Sequence, residues 1–124
     1  MRNMSFALTT DQIRNKTKTV TRRRGWLRLQ PGDRIQAVKK CMGLKKGEKI
    51  EPLGSLRVID VRREPLRRLT DDMEYGVDEC KKEGFGEHPL LSFPGTFANF
   101  FCSTHKGCTL ATKVTRIEFE YEEN

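Results

Sequence analysis

The chain has 124 residues, 35% hydrophobic and 33% charged, with a net charge of +7 at pH 7. That length allows one domain with a modest core, and seven Phe and one Trp among the aliphatic residues argue for folding rather than disorder. No apolar run approaches the roughly 18 residues of a membrane-spanning helix, and the N-terminal apolar stretch is too short for a secretory signal, so a cytoplasmic location with reduced thiols and no membrane partner is expected.

Ser5 to Leu8 is short and apolar and reads as an initial strand. Thr9 or Thr10 can cap a short helix running to about Asn15, with Asp11 suited to its positive N-terminal end. Thr17 to Arg22 alternates and is rich in β-branched residues, which suits a strand. Gln30-Pro31-Gly32-Asp33 is a turn, because Pro fixes one central dihedral and Gly permits the next. Arg34 to Lys39 follows as a strand, with Ile35 and Ala37 on its inward face. Cys41 to Pro52 carries glycines and several lysines and reads as an exposed loop.

Leu56 to Arg63 is the strongest strand signal in the chain, and Pro65 ends it. Asp71 to Lys82 favours helix despite Gly76, with Thr70 as its cap and Gly84 after the last turn as its stop. Phe93, Phe97, Phe100 and Phe101 recur at helical spacing, so a second helix is predicted from about Gly95 to Ser103. Its aromatic stripe is assigned to the core rather than to base stacking. Lys113 to Tyr121 alternates as a terminal strand, and the acidic tail from Glu118 to Asn124 reads as its solvent-facing end. Pairing of this last strand with early ones predicts a single α+β domain over residues 1–124. Its centre would be a curled, barrel-like sheet of about five to six strands with two to three flanking helices.

Charge is uneven along the chain. Residues 1–50 hold 14 Lys and Arg against 3 Asp and Glu, whereas the remainder is net acidic. A basic half on a small protein is the usual footprint of a phosphate-bearing partner. The densest part is Lys16-Thr17-Lys18-Thr19-Val20-Thr21-Arg22-Arg23-Arg24, followed by Trp26. Guanidinium forks match phosphate oxygens, so Arg22, Arg23 and Arg24 are candidate phosphate ligands, with Trp26 as a candidate base-stacking ring. The lysines of the 41–52 loop, with Lys39 and Lys40 before it, extend the same candidate surface.

A short helix leading to Lys18-Thr19-Val20-Thr21-Arg22-Arg23, the Pro31-Gly32-Asp33 turn, a helix ending in Glu83-Gly84-Phe85, a Phe-rich helix and a final Val114-Thr115-x-Ile117-x-Phe119 strand together resemble the ASCH domain. The resemblance covers roughly residues 5–121, and it implies a PUA-like barrel and an association with RNA. One bacterial branch of that family is an amidohydrolase that removes the acetyl group from N4-acetylcytidine with a Lys, a Thr and a Glu. Carried over to this chain, the resemblance implies Lys18, Thr21 and Glu83 as the catalytic residues, with RNA or a modified nucleoside as the partner. It equally admits a non-catalytic RNA-binding module. A ribonuclease is the third reading, although the sequence offers no acid–base histidine pair to serve it.

A threonine hydroxyl attacks only when a base takes its proton, and an ordinary lysine is protonated at neutral pH. Bringing Lys18 to about 7 takes roughly 4–5 kcal/mol of differential destabilisation of its ammonium. Burial and the neighbouring Arg22, Arg23, Arg24 and Arg28 act in that direction. Glu83 acts against it, which suits that carboxylate to orienting Lys18 or relaying a proton to the leaving amine. Residues three apart in a regular strand point to opposite faces, so Lys18 and Thr21 share a pocket only across a bulge or bend. Thr19 is the spare hydroxyl.

Cys102, His105 and Cys108 have Cys-x2-His-x2-Cys spacing, with Cys41 or Cys80 available as a fourth ligand. The paired Cys-x2-Cys knuckle is missing, and the cysteines suit small buried positions, so neither metal nor cofactor is expected. His88 is assigned to a surface loop.

Overall fold

A computed structural model describes residues 1–123. Five strands form one curled sheet: β1 (Arg2–Ser5), β2 (Val20–Arg23), β3 (Arg34–Val38), β4 (Pro52–Pro65) and β5 (Lys113–Tyr121). Their spatial order is β1-β3-β4-β5-β2, with β1 parallel to β3 and the other pairs antiparallel. Four α-helices accompany it: α1 (Thr10–Arg14), α2 (Arg68–Asp71), α3 (Met73–Cys80) and α4 (Pro94–Thr104). This is the expected α+β, PUA-like architecture, a half-barrel closed on one side by helices.

β4 is the long central strand and outlasts the predicted Leu56–Arg63 at both ends, flanked by β3 and β5. A register shift against β5 between Val58 and Asp60 bends it, as a bulge does, and helps the sheet curl. At the Pro31-Gly32 turn, Gly32 adopts φ +95° while Asp33 N–H donates to the Gln30 carbonyl at 3.0 Å.

The first strand is Arg2–Ser5 rather than Ser5–Leu8, because Phe6 turns inward at 2% exposure and the chain enters a short 3-10 turn at Ala7–Thr9. The single helix predicted from Asp71 is broken at Asp72, whose backbone is extended. Its side chain accepts from Tyr75 N–H, so Asp72 rather than Thr70 caps α3. Thr70 instead donates its hydroxyl hydrogen to the Arg67 carbonyl at 3.0 Å. The expected solvent-facing end from Glu118 is instead part of β5 as far as Tyr121, with Phe119 buried in the core, and Asn124 lies outside the described residues.

Two apolar clusters hold the fold. One lies within the curl of the sheet around Phe6, Ile35, Leu56, Ile117 and Phe119. The other joins α2, α3 and α4 to the sheet around Leu66, Leu69, Phe85, Phe97 and Phe101. The stripe on α4 is therefore core in part: Phe97 and Phe101 are buried, whereas Phe93 precedes the helix and is exposed. The candidate site lies at the seam between the two clusters.

Candidate functional site

Lys18 stands where α1 gives way to β2. Lys16 takes a left-handed φ of +62°, and Thr17 N–H and Lys18 N–H both donate to the Gln12 carbonyl. Strand geometry begins only at Val20, three residues later than the predicted start at Thr17. Thr19 N–H then donates to the Lys82 carbonyl at 2.8 Å, and Tyr121 Oη donates to the Lys18 carbonyl at 2.6 Å. This bend removes the geometric obstacle to Lys18 and Thr21 sharing a pocket.

Glu83 is presented by a wide turn, Lys81–Phe85, that follows α3. Gly84 has φ +97°, and a Cβ there would meet Gln12 at 2.9 Å and Lys18 Cβ at 3.4 Å. Only glycine lets the turn approach the Lys18 segment this closely. Gln12 Nε2 donates to the Gly84 carbonyl at 3.3 Å and ties the two segments together.

Lys18 Nζ donates to Glu83 Oε1 at 3.0 Å and to the Glu83 carbonyl at 2.8 Å. Arg22 Nη1 donates to Glu83 Oε2 at 3.0 Å, so the carboxylate is shared between two cations. Arg23 Nε donates to Thr21 Oγ1 at 3.2 Å, and its Nη2 donates to the Ser5 carbonyl at 2.7 Å. Lys18, Thr21, Arg22, Arg23 and Glu83 all line one cavity of about 250 Å³. The rest of its lining is largely apolar and includes Phe6, Leu8, Phe85, Phe97, Phe100 and Phe101.

Burial is the largest influence on Lys18, which is 3% exposed, and it pushes the amine below the ordinary lysine value. Glu83 opposes that shift, while Arg23 and Arg22 reinforce it. Burial likewise lowers the Arg23 guanidinium, to about 10, which leaves it charged at neutral pH. For Arg22, burial acts downward but Glu83 and Glu79 outweigh it and hold the guanidinium above its usual range.

Behind Arg22 lies a buried ion network. Arg22 Nη2 donates to Glu79 Oε1 at 2.6 Å and to Glu64 Oε2 at 3.3 Å. Arg116, directly opposite Arg22 across the β2–β5 pair, grips Glu79 through Nε and Nη2 at 2.5 and 3.0 Å. Tyr75 Oη donates to Glu64 Oε2 at 2.8 Å, and Arg62 and Arg68 close the outer side of Glu64. Against the upward effect of its burial, the Arg116 and Arg22 guanidinia hold the Glu79 carboxyl down at about 2.

The sequence-predicted residues therefore separate. Lys18, Thr21 and Glu83 converge on one cavity with Arg22 and Arg23. Arg22 is committed to carboxylates and is 4% exposed, a buried cross-link rather than an open phosphate ligand. Arg23 is half-buried over the Phe6 ring, 4.8 Å from its centroid, and is bonded to the Thr21 hydroxyl. Arg24 is exposed on a neighbouring groove, donating to the Lys106 carbonyl at 3.2 Å. Trp26 lies off the cavity, against the sheet cluster, with the Arg2 guanidinium 3.9 Å over its ring.

Glu64, Glu79, Tyr75 and Arg116 went unread in the sequence. The one signal for them is the spacing of Glu79 and Glu83, four apart on what reads as a helix and so on one face. His105 Nδ1 is 2.8 Å from the Phe101 carbonyl with its ring stacked on Phe101, and Cys102 Sγ and Cys108 Sγ are 3.8 Å apart. Among the described residues no group of three or more His, Cys, Asp or Glu side chains is arranged to hold a metal ion. No helix there is long and apolar enough to cross a membrane.

No protein-family model matches the chain, and no curated protein matches it. Solved structures do match in three dimensions. An ASCH domain from Lactobacillus crispatus JV V101 superposes with a TM-score of 0.60 at 16% identity, over 97% of this chain and 78% of that one. A protein from Enterococcus faecalis V583 described by the family model DUF984 superposes with a TM-score of 0.54 at 14% identity and the same coverage. The chain has the ASCH-domain fold.

Proposed function

We propose that the cavity is an amidohydrolase site acting on an N-acylated nucleobase of the N4-acetylcytidine kind, with Thr21 as nucleophile and Lys18 as base. The observation that carries the reading is a desolvated lysine sharing one small cavity with a threonine and a carboxylate. Lys18, in its neutral form, takes the proton of the Thr21 hydroxyl as the oxygen attacks the acyl carbon. The Arg23 guanidinium bonded to Thr21 Oγ1 stabilises negative charge on that oxygen and on the adjoining tetrahedral oxyanion. The C–N bond then breaks, and the protonated Lys18 returns its proton to the departing amine. Water, giving a proton to Lys18, attacks the acyl-threonine ester; its C–O bond to Thr21 breaks, Lys18 returns the proton to Thr21 Oγ1, and the carboxylic acid is released.

Glu83 orients Lys18, and Arg22 moderates it. By sharing the Glu83 carboxylate, Arg22 weakens its hold on the ammonium, so that burial prevails. The phenylalanines that share the lining with these polar residues give a planar base an apolar surface to rest on.

The test is the release of cytidine from N4-acetylcytidine by the purified protein. The wild type is expected to turn over, with activity lost in Lys18→Ala and in Thr21→Ala and partly kept in Thr21→Ser. Absence of turnover with salt-sensitive RNA binding would replace the enzyme by a non-catalytic module, and shortened RNA products would indicate a nuclease.

A further inference from the structure

Beside the cavity runs an open groove lined by Arg24, Arg63, Lys106 and Lys113, and Thr104 and His105 line both it and the cavity. All four cations are exposed. Arg24 Nη1 donates to the Lys106 carbonyl at 3.2 Å, and Arg63 donates through Nη1 to Thr115 Oγ1 at 2.7 Å and through Nη2 to the Lys113 carbonyl at 3.3 Å, so both guanidinia are anchored to the fold. Among the described residues none of the four has a carboxylate within 4.0 Å. Exposed Arg14, Arg34, Arg57, Arg67 and Arg68 each have one, and Arg28 and the loop lysines Lys45, Lys46 and Lys49, which also lack one, do not line the groove. Four neighbouring cations without counter-charge repel one another and favour an anion among them.

We infer that this groove binds the phosphate of a nucleotide whose base enters the cavity, so that the ligand is a phosphate-bearing nucleotide or strand rather than a free nucleoside. A planar base among the phenylalanines of the cavity, with its phosphate in the adjoining groove that shares Thr104 and His105 with it, fits the juxtaposition of cavity and groove. The inference rests on the cavity as a nucleobase site. Its test uses unmodified ligands and reads binding alone, so a failure of hydrolysis and a failure of the groove are distinguishable.

The probe is fluorescein-labelled hexacytidylate RNA, followed by anisotropy across a salt series. Three proteins are compared: wild type, the groove variant Arg63→Gln/Lys106→Gln/Lys113→Gln, and the loop variant Lys45→Gln/Lys46→Gln/Lys49→Gln. The groove variant is expected to bind roughly tenfold or more weakly. Its slope of log affinity against log salt should be flatter by about 2, the value for three lost phosphate contacts to a single strand. The loop variant should behave as wild type, and unchanged circular dichroism melts show that both variants fold.

Competition by cytidine 5′-monophosphate but not cytidine assigns the phosphate to a mononucleotide, whereas competition only by unlabelled hexamer assigns it to a strand. The proposal is overturned if wild type fails to bind either ligand, if groove and wild-type affinities coincide, or if the loop variant carries the loss. Equal competition by hexaglutamate would also overturn it.

Discussion

Replacing Arg22 with Met removes the cation at the centre of the buried network while keeping much of its apolar volume. Arg22 touches Glu79 at 2.6 Å, Glu83 at 3.0 Å and Glu64 at 3.3 Å, with 1% of its side chain exposed. Removing one partner from a buried ion pair costs about 3–5 kcal/mol, because the remaining charge is left uncompensated. Here Glu79 keeps Arg116 and Glu64 keeps Arg62 and Arg68, so Glu83, left with Lys18 alone, carries most of the penalty. The loss should therefore lie near the lower bound, about 3 kcal/mol, a large share of the roughly 5–15 kcal/mol that a domain has. Adding Glu83→Gln removes that stranded charge, and the double variant should recover at least about 1 kcal/mol. Urea denaturation at pH 7, with m-values held constant, measures both quantities. A loss below about 1 kcal/mol for Arg22→Met, or strict additivity of the two substitutions, would refute the reasoning.

The same two residues should move the acid limb of kcat/KM for the proposed amide hydrolysis in opposite directions. Arg22→Met leaves Glu83 free to hold the Lys18 ammonium and shifts the limb to higher pH, whereas Glu83→Gln removes the opposing carboxylate and shifts residual activity to lower pH. Glu79, held at about 2 against its ordinary 4.5, contributes about 3 kcal/mol of stability that is fully present above pH 4.5 and lost as pH falls toward 2. Glu79→Gln should flatten that part of the acid denaturation curve. Gly84→Ala forces a side chain into a left-handed turn against Gln12 and should cost about 1–3 kcal/mol by thermal melting while lowering the proposed release of cytidine from N4-acetylcytidine.

Much of the fold was legible because it follows from local patterns. The alternation of Lys113–Tyr121, the Pro31-Gly32 turn and the Phe spacing of α4 each reflect one element's own periodicity. The break at Asp72 was not legible, since it depends on a cap competing with helix continuation. Convergence of Lys18, Thr21 and Glu83 was available only from resemblance. The residues gave no sign of the left-handed Lys16 or of the bend that brings them together. The three consecutive arginines read as one phosphate grip, yet strand alternation and burial divide them. Arg22 faces buried carboxylates, Arg23 the Thr21 hydroxyl, and Arg24 the groove. Tertiary partners supplied by α3 and β5 make that division, and no local pattern encodes it.

Burial, with Arg23 and Arg22, overrides Glu83 and lowers the Lys18 amine. The direct measurement is an NMR titration of the protein carrying 13C-labelled lysine, with Lys18 assigned by its loss in Lys18→Arg. The Lys18 signal should titrate below the ordinary lysine value of 10.5, and lower still in Glu83→Gln. Titration at or above 10.5 would contradict the account and leave Thr21 without a base.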